Sequence, residues 1–277
     1  MNSFEAFAAL VGRDERMQLP LLEAAAQVPQ YADPHCDPQV VLRQVHAWVA
    51  QLRARIAPDA SPLMRFRLLT HFFFGELGFA GARDDYDAVE NSFLHRVIER
   101  RRGIPITLSL LYVELGRAAG LSLHGVSFPG HFLVRLTLND GAVFIDVFNG
   151  GVSLSDSELR GRLAQALPDA SEASLARYLR PAADREILAR LLRNLKVIHC
   201  RAEQWLAALD VMNRLVALLP GSPQERLDRA QAYERLECPR AAVGDLVAYL
   251  SLAVSPADAG QVRGRLGRLQ QAADRLN

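Results

Sequence analysis

An α+β core followed by an all-α tail is the fold class this sequence predicts, and three observations carry it. Apolar residues recur at helical spacing as far as about residue 119, switch to strand-like runs between residues 123 and 148, and return to helix beyond Ser155. Asn139-Asp140-Gly141 sits between two of those runs and is a hairpin signal. Beyond Pro181 the chain repeats itself with a period of 34 residues.

Residues 3 to about 80 read as short helices broken at Pro20, Pro29, Pro34, Pro38, Pro58 and Pro62. Val40, Val41, Val45, Trp48, Val49, Leu52 and Ile56 recur at helical spacing, as do Leu63, Phe66, Leu69, Phe72, Phe73 and Leu77. The run Phe72-Phe73-Phe74 is read as core. A helix over Ser92 to Arg101 has Asp84, Asp85, Asp87 and Glu90 ahead of its positive end and arginines at its negative end, an order that favours it. Gly103 breaks that helix, and Pro105 suits the first turn of the next, where no N–H is needed. Leu108, Leu111, Tyr112, Leu115 and Ala119 give the new helix an apolar face, and Gly120 ends it.

Three strands follow, Leu123 to Phe128, His131 to Leu138 and Ala142 to Phe148, and Gly150-Gly151 closes the strand region. Ser155 and Glu158 have capping-box spacing, and the chain then returns to helix until Leu179. In the repeat, Trp205 to Pro220 aligns with Pro239 to Val254, setting His199 over Tyr233, Ala208 over Ala242 and Met212 over Leu246. Small residues at helix crossings with this period are the tetratricopeptide pattern. A last helix runs from Pro256 to Leu276. The expected domains are 1–181 and 182–277.

Half of the 277 residues are hydrophobic, enough for one large or two modest domains. A net charge of +1 supplies no global field toward nucleic acid, membrane or an acidic partner. Cys36, Cys200 and Cys238 are too sparse for a disulfide framework or a zinc site, so no metal and no cofactor is expected. The segment from Met1 to Leu10 carries Glu5 and no basic start, and no apolar run approaches the roughly 20 residues that span a bilayer, which points to the cytoplasm. Of the 32 basic residues only Lys196 is lysine, a coding bias typical of a GC-rich bacterial source.

The stretch from Arg101 to Ser109, followed by His131 and Asp146, resembles a cysteine-protease-type frame without its cysteine. Such a frame needs a thiol at a helix N-terminus, where the dipole lowers its pKa, then a base and a carboxylate on succeeding strands. Transglutaminase-like proteins place Gly-x-Cys at the helix start, about fifteen residues before a glycine that ends it. Here Gly103-Ile104-Pro105 stands at that position, and Gly120 lies fifteen residues after Pro105. The runs Asn91-Ser92-Phe93-Leu94, Arg101 to Ser109, Pro129-Gly130-His131-Phe132 and Ile145-Asp146 together resemble a bacterial family. In it a transglutaminase-like domain is fused to C-terminal tetratricopeptide repeats, historically linked to siroheme biosynthesis as the SirB-one type. The resemblance implies a transglutaminase-like (papain-like) core with N-terminal helices, a tetratricopeptide-like C-terminal part, and proline at the cysteine position.

Hairpin register decides whether His131 and Asp146 can meet. An Asp140-Gly141 loop pairs Arg135 with Asp146 and leaves His131 on the same face. An Asn139-Asp140 loop sets Asp146 opposite Leu133, with His131 as its diagonal neighbour. A three-residue loop puts the two on opposite faces. Thr107 and Ser109, the hydroxyls near the helix start, are read as structural. Arg96, Arg100, Arg101 and Arg102 with His95 form the densest basic patch, able to clamp an anion unless neighbouring acids neutralise it.

The leading expectation is a non-catalytic interaction or scaffold protein whose partner is a protein or peptide. The alternative is a hydrolase or isopeptide-type enzyme in which His131 acts as general base, Asp146 orients it, and water replaces the thiol. A third is a small-anion site at Arg101, Arg102 and His131.

Overall fold

The computed structural model describes residues 2–12, 19–139, 141–169, 175–252 and 255–274. They divide into two compact units, Gln18–Leu191 and Met1–Met17 with Leu192–Asn277. The division differs from a cut at Pro181 for two reasons. Helix α1 (Ser3–Val11) belongs with the repeats, and one continuous helix, Asp184–Arg201, crosses from the first unit into the second.

The first unit opens with α2 (Leu21–Gln27), α3 (Pro38–Arg53) and α4 (Pro62–Thr70), the latter two started by a side-chain cap and a proline in the first turn. A π-helical turn, His71–Glu76, extends α4. There Phe73 stacks on Phe79 at 4.5 Å and meets Tyr112 edge-on at 5.2 Å, so Phe72 and Phe73 are core while Phe74 is half-buried. The short strand β1 (Ala80–Gly81) precedes α5 (Leu94–Arg100), which starts two residues later than the spacing suggests because Val89–Ser92 forms a 3-10 turn. Asp85 does not cap that helix. It pairs with Arg100 instead.

Strand β2 (Arg102–Gly103) lies parallel to β1 and leads into α6 (Pro105–Ala118). Every residue of α6 from Pro105 to Val113 is buried, so this helix is the centre of the unit and packs on α3, β3 and β4. An antiparallel sheet follows in chain order: β3 (Leu123–Val126), β4 (Leu133–Leu138), β5 (Gly141–Asp146) and β6 (Val152–Leu154). The fourth strand corrects the reading that Gly150-Gly151 ends the sheet. The two glycines adopt positive φ of 81° and 77° and turn the chain back against β5.

Helix α7 (Asp156–Ala166) begins with the Ser155–Glu158 capping box and lays Leu159 and Leu163 against Val126, Phe128 and Leu133. The short α8 (Leu175–Tyr178) adds Leu175 to that cluster. The start of the continuous helix α9 (Asp184–Arg201) completes the unit.

In the second unit α9 continues into α10 (Trp205–Leu218), α11 (Pro223–Arg235), α12 (Pro239–Ser251) and α13 (Pro256–Asp274). Val254 and Leu276, at the ends of the expected repeat and last helix, lie outside the described residues. The repeat is visible in the backbone: Glu203 and Glu237, 34 positions apart, both take a left-handed φ of 55° in the turns after α9 and α11. Ala208 and Ala242, also equivalent, are fully buried where helices cross. Ion pairs tie successive helices: buried Glu225 of α11 accepts from Arg193 and Lys196 of α9, and Asp245 of α12 accepts from Arg226 and Arg229 of α11. Phe7 of α1 is fully buried, and the Arg214 guanidinium of α10 lies 5.8 Å from its ring centre.

Candidate functional site

Residues Phe128 to His131 form a turn closed by the His131 N–H donating to the Phe128 carbonyl at 3.1 Å. Pro129 and Gly130 fill its centre, and Gly130 takes φ 68°, the positive angle a type II turn demands at that place. Arg190 of α9 braces the same turn, its Nη1 donating to the Ser127 hydroxyl and to the Phe128 carbonyl, each at 2.8 Å. Burial pulls the Arg190 pKa down, and it interacts with Tyr86 nearby. The turn delivers His131 to the end of β4.

Val134 pairs with Ile145, and continuing that register sets Asp146 opposite Leu133 with His131 as its diagonal neighbour. This is the register of an Asn139-Asp140 loop; Asp140 itself lies outside the described residues. His131 Nε2 and Asp146 Oδ1 are 2.9 Å apart. Asp146 is fully buried and accepts three further bonds: from the Asn149 backbone N–H at 3.2 Å, from Asn149 Nδ2 at 2.7 Å and from Arg162 Nη1 at 2.7 Å. Burial alone would raise its pKa, but the bonds from His131, Asn149 and Arg162 outweigh it and hold the carboxyl well below the usual aspartate range.

An ionised carboxylate only accepts, so in this contact Nε2 is the donor and Asp146 Oδ1 the acceptor. Phe148 meets the imidazole edge-on, with ring centres 6.2 Å apart, and Tyr86, 46% exposed, meets Phe148 in turn. The arrangement can hold an oriented imidazole beside an aromatic wall.

Proline occupies N1 of α6, with Ile104 as an N-cap that offers no side-chain bond. Gly103 ahead of it is required by packing, since a Cβ there would stand 2.7 Å from the Thr107 hydroxyl and 2.9 Å from Val97. The Thr107 hydroxyl is buried and shared between the carbonyls of Asn91 at 2.9 Å and Ile104 at 3.1 Å. Ser109 is buried on a different face of α6, in the wall of a separate cavity.

The basic patch is neutralised or stacked rather than gathered. Arg96 pairs with Glu99 at 2.8 Å, Arg100 with Asp85, and Arg101 lies over Trp48 and Phe79 at 4.6 and 5.0 Å. Arg102 donates to the carbonyls of Gly78 and Arg101. His95 contacts the Cys36 thiol through Nδ1 at 3.5 Å. Burial and the carboxylates of Asp33 and Asp37 push the Cys36 pKa up, while burial and Arg96 push that of His95 down. Both therefore favour their neutral forms, the reverse of an activated thiolate–imidazolium pair. Among the described residues no three His, Cys, Asp or Glu side chains converge as metal ligands.

Arg162 and Arg190 were invisible to spacing arguments. Asn149, three residues after Asp146 in a turn, carries a weak local signal; the other two reach the site only because α7 and α9 pack there. No described helix is long and apolar enough to cross a membrane.

Residues 39–193 match the transglutaminase-like superfamily, and residues 195–277 match a tetratricopeptide repeat. A UPF0162 protein of Xylella fastidiosa is 37% identical over 252 residues, covering 90% of this chain and 89% of that protein. The UPF0162 protein PA3419 of Pseudomonas aeruginosa is 34% identical over 246 residues, covering 89% and 87%. F-box only protein 21 of Mus musculus is 30% identical over 174 residues, covering 52% of this chain and 28% of that protein. Among solved structures, one described as the crystal structure of menin revealing the binding site for Mixed Lineage Leukemia (MLL) protein covers 90% of this chain and 70% of its own at 11% identity, with a TM-score of 0.43. On the superfamily match and the identity shared along most of both chains, this protein belongs to the UPF0162 family, a transglutaminase-like domain followed by tetratricopeptide repeats.

Proposed function

We propose that this chain is a non-catalytic protein-interaction or scaffold protein of the bacterial cytoplasm, in which the former thiol site serves as a peptide-binding surface. The observation that carries the reading is the head of α6. Pro105 takes the place at which the family resemblance puts a nucleophile, the Thr107 hydroxyl is spent on two backbone carbonyls, and Ser109 is buried in another wall. His131, Phe148 and Tyr86 then offer an extended peptide a polar atom and an aromatic wall, and the repeats offer a second surface for a protein partner.

The test is affinity capture from the native host with wild type and His131→Ala side by side. Loss of one specific partner on that change supports a peptide surface at His131. Capture that is unaltered by it removes the surface from this reading and leaves the repeats alone.

A second reading, a hydrolase or isopeptide-type enzyme without a thiol, is favoured by one observation: Asp146 is kept ionised and fixes the His131 ring through Nε2. It requires that His131→Ala and Asp146→Asn each reproduce the phenotype of a deletion. If both variants restore every deleted function, that reading is lost.

A further inference from the structure

A cavity of about 390 Å³ lies within the first unit, between α2, α3, α6, the sheet and the start of α9. Its volume falls in the range of small-molecule sites, and Leu22, Leu42, Val113, Phe132 and Ile187 make its walls apolar. Gly125 on β3 keeps that wall in place, because a Cβ there would stand 2.7 Å from Phe132 and 3.0 Å from Ile187.

Two features set this cavity apart from a packing defect. Ser109 lines it, is fully buried, and its hydroxyl has no hydrogen-bond partner. A helical serine ordinarily satisfies itself on the preceding turn, and an unpaired buried hydroxyl is costly, so an empty wall is a poor place for one. Glu23 and Glu114 also line the cavity, both half-buried, and neither has an ion-pair partner among the described residues. Arg117, the arginine of the lining, is solvent-exposed and its Nε donates to the Leu123 carbonyl at 2.9 Å. With Glu23 and Glu114 on one side of the balance and Arg117 on the other, the polar rim is acidic.

Ser109 and Glu114 are five residues apart on one helix, about 7.5 Å along its axis. We propose that this cavity binds an amphipathic amine. Its ammonium group pairs with Glu114 and Glu23, its apolar body fills the space between Leu22 and Phe132, and a hydroxyl or carbonyl at the far end meets Ser109. The site is independent of the His131 surface and of the function proposed for it.

Tyramine has this pattern, a phenol and an ammonium at opposite ends of an apolar ring, and serves as the probe. Binding to the full chain is measured by ligand-observed NMR, against phenethylamine, which lacks the hydroxyl, and 4-hydroxyphenylpropionate, which replaces the ammonium by a carboxylate. A ligand of this size is expected to bind in the millimolar range. Phenethylamine should bind about fivefold more weakly and the acid at least tenfold more weakly, as loss of one hydrogen bond and reversal of the charge require. Glu114→Gln should weaken tyramine about tenfold and Ser109→Ala about fivefold, and each variant should remove the corresponding preference among the three probes. Both are near-isosteric, so an unchanged thermal unfolding curve certifies the fold. Absence of tyramine binding to wild type, equal binding of amine and acid, or binding indifferent to both substitutions overturns the proposal.

Discussion

Replacing Asp146 by asparagine keeps the shape of the side chain and removes its charge, which makes it a stringent test of the site's electrostatics. The carboxylate accepts four bonds, two on each oxygen: His131 Nε2 and the Asn149 N–H on Oδ1, Asn149 Nδ2 and Arg162 Nη1 on Oδ2. An amide has one acceptor oxygen. If it keeps the Oδ1 pair, its NH₂ faces two donors. Both bonds on Oδ2 reach an ionised acceptor and are worth about 1.5–3 kcal/mol each, the one from the neutral Asn149 amide at the lower end. Arg162 is 33% exposed and can turn to water, so its share is discounted to about 1 kcal/mol. The substitution is therefore expected to cost about 2–3 kcal/mol, a fall in Tm of roughly 5–10 °C for a unit of this size. The chain has two tryptophans, Trp48 in the first unit and Trp205 in the second. In a Trp205→Phe background, urea denaturation followed by Trp48 fluorescence reports the first unit alone. A double-mutant cycle with Arg162→Met should return a coupling of about 1 kcal/mol. A loss below about 0.5 kcal/mol, or no coupling, would refute the account of Asp146 as a buried carboxylate held by four donors.

Acid should destabilise the same unit through the same residue. Its pKa is depressed in the folded state, so the stabilisation is complete above about pH 5 and is lost progressively as pH falls through the unfolded aspartate value of about 3.9 and below it. The midpoint in urea should drop over that range in wild type and drop less in Asp146→Asn; parallel curves would show that Asp146 is not the group titrating. Gly130→Ala forces a side chain onto φ 68° with only Ala166 near, at 3.4 Å, so strain and not crowding sets a cost of about 1–2 kcal/mol, measured by the same denaturation. Phe7→Ala empties a fully buried ring position between α1 and α10 and should cost the second unit about 3–5 kcal/mol, read by Trp205 fluorescence in a Trp48→Phe background. Retention of full stability there would mean that α1 is not part of the repeat unit's core.

The order of elements was legible in the chain because it depends on local chemistry. Pro105 marks the start of α6, Ser155 and Glu158 the start of α7, and apolar spacing the faces of α3 and α6. The first three strands of the antiparallel sheet were legible too; β1 and β2, two residues each, and β6, whose three residues are too few to show alternation and which exists because two glycines fold it onto β5, were not. The repeat of 34 residues was readable because equivalent positions meet equivalent neighbours.

His131 and Asp146 could be singled out from the chain, but hairpin register admitted more than one relation between them. Pairing across β4 and β5 decided it, since register depends on the turn and on every cross-strand contact at once. The basic patch was open between an anion clamp and ion-paired helix ends; Glu99 and Asp85 neutralise two of its arginines, and two aromatic rings take a third. Arg162, Arg190 and the unpartnered Ser109 are determined only in three dimensions. Sequence alone determines local preference, which residue starts a helix or alternates in a strand. Which distant side chain supplies a donor, or fails to supply one, is set by how helices pack on a sheet, and that belongs to the tertiary structure.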